Sequence, residues 1–233
     1  MMTTTSAFGT QPRLYKLDYD PVKAFVPIAT LVVDKSVLVV GPSWPVKTVQ
    51  DMVAQAKAAP GKFNYGSAIG IGPHFVFELF KRKAGVDIVH VPYRGSAPAV
   101  LDVVAGNAFL SINDEAVSVP QIRDGRLVAL AVTGPARLET LPDVPTFLEQ
   151  GFGGGLTQLG FNGLVFRTGT SPAIVRRFAD AVLSVLNTPE GRQRLREMGL
   201  IPTGLGPDQF AAQLRADAPG WAQAARESGA RVE

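Results

Sequence analysis

The chain has 233 residues, 46% of them hydrophobic and 18% charged, which is the composition of a globular protein and enough length for one large domain or two lobes. It has no cysteine, which excludes disulfides, thiolate nucleophiles and cysteine-bound metals, and its two histidines argue against a histidine-rich metal site. The net charge of +3 comes from 23 basic and 20 acidic residues scattered along the chain, a distribution that does not favour nucleic-acid binding.

The N-terminal part of the chain is predicted to begin with strands. Residues 1–9 are strand-like and then turn, and apolar β-branched runs at 24–33 and 36–42 predict buried strands. The start of the chain has neither a basic region nor an apolar stretch, so the sequence as given shows no export signal, and no apolar run reaches the ~18 residues of a membrane span. A helix is predicted within 45–61, with Thr48 as its N-cap.

The middle of the chain alternates between strand and helix patterns. Over residues 36–135 this alternation favours a parallel sheet covered by helices, the α/β class. We expect Pro120 to interrupt the last of these helices. The predicted strands are 62–67, 87–93, 108–112 and 127–134, and the predicted helices are 73–85, 96–106 and 115–125.

The C-terminal part of the chain is predicted to be mainly helical. An apolar stripe that includes Ile174, Phe178 and Val185 is predicted to pack against the sheet, and Trp221 is predicted to be a packing residue. The glycine-rich segment 151–160 is the best candidate for a connection between two lobes. The predicted elements are a short helix at 142–151, a strand at 159–167 and long helical segments at 171–200 and 206–229.

The stretch "KFNYGSAIGIGPHFVFELF" places a run of small residues between a strand and a helix. In an open α/β sheet, ligands bind beyond the carboxyl ends of the strands, where the unpaired N–H groups and the dipole of the next helix attract phosphate or carboxylate. Residues with little or no side chain let a ligand approach the main chain closely. These residues are Ser67, Ala68, Gly70 and Gly72. The stretch alone leaves open whether it is a tight turn or an anion site.

Two further junctions have the same arrangement. After the strand "HVPY", Ser96 is the predicted N-cap of the next helix, and Arg94 is either a carboxylate clamp or a solvated surface arginine. After the strand "AFLSI", Asn113 and Asp114 are either site residues or plain helix caps. Because the carboxyl ends of parallel strands meet at one edge of a sheet, the three junctions together predict a binding site there.

Several segments of the chain resemble the Bug family, the periplasmic substrate-binding proteins of tripartite tricarboxylate transporters. The combination of "HVPYRGSAPA" with "LPDVPTFLEQG" is the most specific part of the resemblance, which keeps the family's order and spacing over nearly the whole chain. The segments are "LYKLDYDPVKAFVPIATLV", "YGSAIGIGPHFVFELF", "GVDIVHVPYRGSAPAVLDVVAG", "LVALAVTGPARLETLPDVPTFLEQG" and "GTSPAIV".

The resemblance implies a two-lobed, periplasmic-binding-protein-like (type II) α/β fold with parallel-rich sheets that closes like a Venus flytrap. It implies a periplasmic protein that captures a small carboxylate-type ligand between its lobes and delivers it to a membrane permease. The first lobe would contain residues 1–37 and 159–233, and the second lobe 38–158. We expect no cofactor, no metal, no nucleic-acid partner and a monomer. The expected ligand-binding residues are Ser67, Ala68, Gly70, Gly72, His74, Tyr93, Arg94, Gly95, Ser96, Asn113, Asp114 and Phe161.

The chain departs from the family pattern at several places. Residues 1–3 align with the middle of the family's first lobe, so we expect that the sequence lacks the export signal and the initial β-α-β unit, which leaves half a cleft. Asn113 stands where the family commonly has aspartate, and Phe161 stands where a tryptophan is usual. Ile69 replaces a common glycine in a loop that is one residue shorter than in many relatives. The identity of the substrate therefore does not carry over.

Other functions are weaker interpretations of the same residues. An enzyme would need Ser67 or Ser96 activated by His74 or His90, and we interpret both histidines as structural, although His74 could donate to a ligand carboxylate. A dinucleotide site is disfavoured because the glycine spacing in "GSAIGIG" is wrong and no suitable acidic residue follows. A cytosolic anion-sensing protein of the same fold, or a fragment that binds nothing, remain the alternatives.

Overall fold

A computed structural model of the chain divides into two compact units. The first contains Met1–Asp34 and Gly160–Ala225, and the second contains Lys35–Leu159. The structure describes residues 1–9, 11–14, 16–42, 44–69, 71–153, 156, 160–198 and 200–228.

Both units combine helices with a sheet. In chain order the elements are β1 (Met2–Thr4), α1 (Thr5–Phe8), α2 (Gln11–Leu14), α3 (Pro21–Ala24), β2 (Phe25–Asp34), β3 (Ser36–Val40), α4 (Val49–Ala58), β4 (Asn64–Ala68), α5 (Gly72–Ala84), β5 (Val89–Tyr93), α6 (Ser96–Val104), β6 (Leu110–Asp114), α7 (Glu115–Arg123), β7 (Val128–Val132), β8 (Gly160–Arg167), α8 (Pro172–Leu186), α9 (Pro189–Glu197), β9 (Ile201–Pro202) and α10 (Pro207–Ser228).

The second unit is built on a five-stranded sheet in the order β5-β4-β6-β3-β7. Strand β4 pairs in parallel with both β5 and β6, whereas β3 pairs antiparallel with β6 and β7. The parallel sheet expected over residues 36–135 is therefore confirmed for β5, β4 and β6, and β3 departs from it. A run of apolar residues predicts a buried strand but carries no information on its direction. Every residue of β3 is buried, and the predicted lobe boundary after residue 37 falls inside this strand.

The helices of the second unit begin and end largely as their residues dictate. Thr48 is confirmed as the N-cap of α4, where its hydroxyl accepts from the Asp51 N–H at 3.0 Å and the Asp51 carboxylate accepts from the Thr48 N–H at 3.1 Å. Helix α5 ends at Gly85, whose φ of 64° lies in the left-handed region. Helix α7 continues through Pro120, so the predicted interruption is wrong. The proline removes one backbone donor, and the Asp124 N–H donates to its carbonyl at 3.0 Å.

The short helix predicted at 142–151 does not form, and the segment consists of turns. Its backbone pairs with the last residue of β7 instead: the Val132 N–H donates to Pro145 O, and the Phe147 N–H donates to Val132 O, both at 3.0 Å. These long-range bonds hold the chain around residue 146 in an extended path, because a helix there would withdraw the same backbone groups.

The first unit contains a four-stranded sheet in the order β1-β8-β2-β9, whose described strands pair antiparallel. The parallel pairing expected of the fold is thus found in the second unit. Trp221 of α10 is buried in the core of this unit, as predicted. The apolar stripe predicted on α8 is wrong for Ile174, Phe178 and Val185, which are exposed, whereas its member Val182 packs against the core. The helix buries the neighbouring stripe, which contains Val175, Ala179 and Leu186.

Candidate functional site

The carboxyl ends of three neighbouring strands lie side by side in the second unit. The register pairs Ala68 at the end of β4 with Tyr93 at the end of β5, and it pairs Gly66 of β4 with Ser111 of β6. Since these strands are parallel, the β4–α5, β5–α6 and β6–α7 junctions meet at one edge of the sheet. We call this the strand-end edge.

The three helices that leave the strand-end edge begin without side-chain caps. Their N-cap residues are Ile71, Gly95 and Asp114, and none of these described residues makes a side-chain cap hydrogen bond. Helix α4 is different, since Thr48 and Asp51 cap its first turn. An N-terminus without a side-chain cap leaves main-chain N–H groups and the positive end of the helix dipole available to an anion, although at α7 the Glu115 N–H donates to Lys35 O at 3.1 Å.

The β4–α5 junction has room for a ligand beside its main chain. Ser67 and Ala68 are buried, and Ile69 is exposed. Apart from its chain neighbours and the backbone of α5, no atom of the described residues lies within 4 Å of a Cβ placed on Gly72. The predicted site residue Gly70 lies outside the described residues. The open space at Gly72 is what close approach of a ligand to the main chain requires.

Of the site residues predicted at the β5–α6 junction, some make contacts that hold the fold together and others are exposed at the strand-end edge. The Tyr93 hydroxyl donates to the Asp102 carboxylate, and burial is the main reason that the pKa of Tyr93 rises to about 12. The Tyr93 side chain therefore holds β5 to α6. Arg94 is exposed, and Gly95 has a φ of 128°, in the region that favours glycine. Gly95 is the N-cap of α6, so the assignment of Ser96 as N-cap is wrong.

The β6–α7 junction concentrates oxygen acceptors at the edge. The Asn113 amide donates to the Ser111 hydroxyl, which donates to Gly66 O at 2.8 Å. Asn113 is buried, and its Oδ1 has no hydrogen-bond partner among the described residues. Asp114 occupies the N-cap position, but its carboxylate accepts from the Ser96 hydroxyl at 3.2 Å, and burial raises its pKa. Neither side chain makes a cap hydrogen bond to α7, so the interpretation of Asn113 and Asp114 as plain helix caps does not account for their contacts.

The two histidines lie together behind the β4–α5 junction. Their rings stack with centroids 4.3 Å apart, and burial lowers the pKa of both, that of His74 to about 4. His90 Nε2 lies 2.9 Å from the Ser67 hydroxyl. Ser67 is 0% exposed, so this hydroxyl is not placed to attack a substrate. This packing agrees with the interpretation of both histidines as structural, and the expected contact of His74 with a ligand stays a prediction.

Phe161 belongs to the first unit and is 1% exposed. Its ring packs edge-to-face on Phe210, with centroids 5.1 Å apart, and also contacts Trp221. Its side chain is part of the core of that unit, and its expected role at a ligand stays a prediction.

Sequence reasoning missed the residues that support the histidine stack. The Tyr65 hydroxyl donates to Glu78 Oε1 at 2.6 Å, and the Lys81 ammonium donates to the same oxygen at 2.8 Å. Two sequence spacings could have indicated these contacts. Tyr65 and Ser67 are two residues apart and so lie on the same face of β4, and Glu78 follows His74 by one helical turn.

The described part of the chain contains neither a metal-binding cluster nor a membrane-spanning helix. There, no group of three or more histidine, aspartate or glutamate side chains could hold a metal ion. None of the helices that the structure describes has the length and apolarity needed to cross a bilayer.

Comparison with known proteins identifies the family. The profile of the "Tripartite tricarboxylate transporter family receptor" family matches residues 1–222. The chain belongs to this family. The match covers both units and confirms the resemblance to the Bug proteins, which carry this receptor fold.

Curated relatives come from several bacteria. The "UPF0065 protein in gbd 5'region" of Cupriavidus necator is 33% identical over 201 residues, which cover 86% of this chain and 61% of the relative. BugT of Bordetella pertussis is 28% identical over 218 residues, which cover 93% of this chain and 67% of BugT. The chain thus spans about six tenths of the length of the first of these relatives.

Solved structures confirm the α/β fold class. A periplasmic transporter superposes with a TM-score of 0.90 at 33% identity, covering 100% of this chain and 78% of its own. Rpa4515 of R. palustris, solved with adipate, has a TM-score of 0.90 at 31% identity, with coverages of 99% and 78%. MatC from Rhodopseudomonas palustris, solved with malate, has a TM-score of 0.84 at 25% identity, with coverages of 96% and 78%.

Proposed function

We propose that the chain acts as an extracytoplasmic solute-binding receptor that captures a small carboxylate and delivers it to a membrane permease. The observation that supports this most strongly is the strand-end edge of the second unit, where α5, α6 and α7 begin side by side without side-chain caps. At α7 the first N–H, that of Glu115, already donates to Lys35 O at 3.1 Å. The N–H groups that follow it, those at the starts of α5 and α6, and three helix dipoles that converge on one edge attract an anion without requiring a charged side chain.

The carboxylate is proposed to lie against the main chain around Gly72 and Gly95. Neither glycine has an atom within 4 Å of the position of a Cβ, so a ligand oxygen has room to reach the backbone there. The exposed Arg94 lies on the same edge and supplies a mobile positive charge. Adipate and malate, which two related structures contain, are both dicarboxylates, and this agrees with the proposed ligand class.

The receptor is proposed to perform no chemistry on its ligand. The Ser67–His90 pair, which has the composition of a nucleophile and its base, is held with the serine fully buried. Ser96, the second serine at the edge, donates to the Asp114 carboxylate at 3.2 Å, and no histidine bonds to it among the described contacts.

Calorimetric titration tests the proposed ligand class. Adipate, malate and acetate are titrated into the full chain, with putrescine as a cationic control of length similar to adipate. We expect at least one carboxylate to bind and putrescine to give no heat of binding. A preference for the diamine, or conversion of any bound carboxylate to a product, would contradict the proposal.

The cellular location of the protein distinguishes a transport receptor from a cytosolic anion sensor. The native gene product, tagged at its C-terminus, is expressed in its own host, and the periplasmic and cytosolic fractions are compared. We expect the protein in the periplasmic fraction, and recovery in the cytosol alone would support the sensor.

A further inference from the structure

One side of β4 carries a stack of rings that reaches the first turn of α5, in which Tyr65 and His74 are buried and His90 is half-buried. The His90 ring lies between the rings of Tyr65 and His74, with centroid distances of 4.7 and 4.3 Å. His74 is the third residue of α5 and directly follows the β4–α5 junction. The far end of the stack is fixed by the Tyr65 hydroxyl, which donates to Glu78 at 2.6 Å.

His90 also bonds to the end of β4. Its Nε2 lies 2.9 Å from the Ser67 hydroxyl and 3.3 Å from the Ser67 carbonyl oxygen. Because a carbonyl oxygen can only accept, the second contact requires a hydrogen on Nε2. His90 therefore contacts both sides of the junction. It hydrogen-bonds to Ser67 at the end of β4 and stacks on His74 at the start of α5.

We infer that the stacked imidazoles of His74 and His90 are positioning residues for the β4–α5 junction, and that they hold its main chain in place only while both rings are neutral. This inference rests on the proposed function of the strand-end edge. It gives the anion site a dependence on pH that comes from residues that do not touch the ligand.

Burial, more than the surrounding charges, opposes a proton on either ring, because it lowers the pKa of both histidines. The groups that face it are Tyr65 from β4 and Glu78 and Lys81 from α5. Glu78 raises the pKa of both histidines and Lys81 lowers it, and Glu78 Oε1 accepts from both Tyr65 and Lys81. A charged His74 would also lie in the first turn of a helix, where the dipole disfavours a cation.

The direction of the pH dependence follows from the lowered pKa values. Burial holds the pKa of His74 at about 4 and also lowers that of His90, so each ring takes up a proton more readily in the disordered state. The stabilisation is complete above the ordinary histidine pKa of about 6.5 and is lost as the pH falls towards the folded values.

Hydrogen exchange measured by mass spectrometry tests the inference without a ligand. The full chain, His90→Gln and the control Gln55→Ala are compared at about pH 7.5 and about pH 5, with exchange corrected for its intrinsic pH dependence. Glutamine keeps a donor near the Nε2 position but cannot be protonated in this range. Gln55→Ala removes the 2.7 Å hydrogen bond from Trp44 elsewhere in the same unit.

We expect protection of the peptide spanning residues 66–75 to fall by about threefold or more at the lower pH in the wild type and in Gln55→Ala. In His90→Gln the fall should be smaller, because only His74 remains to take up a proton. Equal pH dependence in all three proteins, or an equal loss in the wild-type peptide 44–55, would overturn the inference. The wild-type comparison of the two peptides decides the matter even if His90→Gln does not fold.

Ligand binding is measured separately, so that the two proposals fail in different ways. The affinity of whichever of adipate or malate binds should fall at the lower pH in the wild type and fall less in His90→Gln. If neither binds at either pH, the proposed function fails, and the exchange measurement still decides whether the histidines position the junction.

Discussion

Gly72, the first residue of α5, lies where the structure has room for a larger side chain. A Cβ there would meet no atom within 4 Å, and its backbone is not in the left-handed region that demands glycine. The fold therefore gives no steric reason for glycine at this position. Close approach of a ligand gives one, since any side chain would occupy the space beside the main-chain N–H groups.

Substitution of Gly72 by valine separates these two reasons. We expect Gly72→Val to weaken carboxylate binding at least tenfold, which is about 1.4 kcal/mol, while the free energy of unfolding changes by about 1 kcal/mol or less. Calorimetry and urea denaturation measure the two effects, with Ala54→Val on the exposed side of α4 as the matched control. Unchanged affinity in Gly72→Val would remove the β4–α5 junction from the site.

Among the helices of the second unit, the N-termini differ in whether a side chain caps them. Helix α4 begins with a complete capping box, whereas α5, α6 and α7 begin at the strand-end edge without side-chain caps. A cap stabilises a helix by satisfying its first N–H groups, and the same groups are what an anion site must keep available. We therefore expect the N-terminus of α4 to serve stability and those of α5, α6 and α7 to serve binding.

Removal of the α4 cap should therefore affect stability alone. We expect Thr48→Ala to lower the free energy of unfolding by about 1 kcal/mol, because the Asp51 N–H loses its acceptor, and Thr48→Ser to restore most of it. Carboxylate affinity should equal that of the wild type in both variants. A loss of affinity in Thr48→Ala with unchanged stability would reverse the assignment.

Much of this element structure can be predicted from local sequence. The strands of the second unit lie close to their predicted ranges because buried β-branched runs and turn residues are local signals, and Thr48 with Asp51 is a readable capping box. The segment 142–151 could not be predicted, because its path is set by backbone bonds to Val132. Neither could the buried side of α8, where two apolar stripes one residue apart have the same period.

The candidate site was predictable at the level of junctions and not of side chains. The order of strands and helices places three junctions at one edge, as the structure has them. No sequence pattern reveals that the Tyr93 hydroxyl is taken up by Asp102, or that Ser96 donates to Asp114 because Gly95 adopts a φ of 128° and becomes the N-cap. These contacts depend on distances between elements that only folding brings together.

At the scale of the whole molecule, the second unit contains every described residue on which the proposed anion site rests. The family match spans both units, and the first unit has its own aromatic core around Phe161 and Phe210. The proposal for the strand-end edge thus depends on one unit, whereas the choice of ligand and the delivery to a permease are proposed for the protein as a whole.

The central claim is that main-chain amides at the strand-end edge bind the carboxylate. Its most direct test is a titration of adipate or malate into the full-length chain labelled with ¹⁵N, followed by amide NMR shifts. The account predicts that the largest shifts occur at the starts of α5, α6 and α7, with little change at the capped start of α4. Shifts concentrated at α4, or binding that leaves the three junctions unchanged, would contradict it.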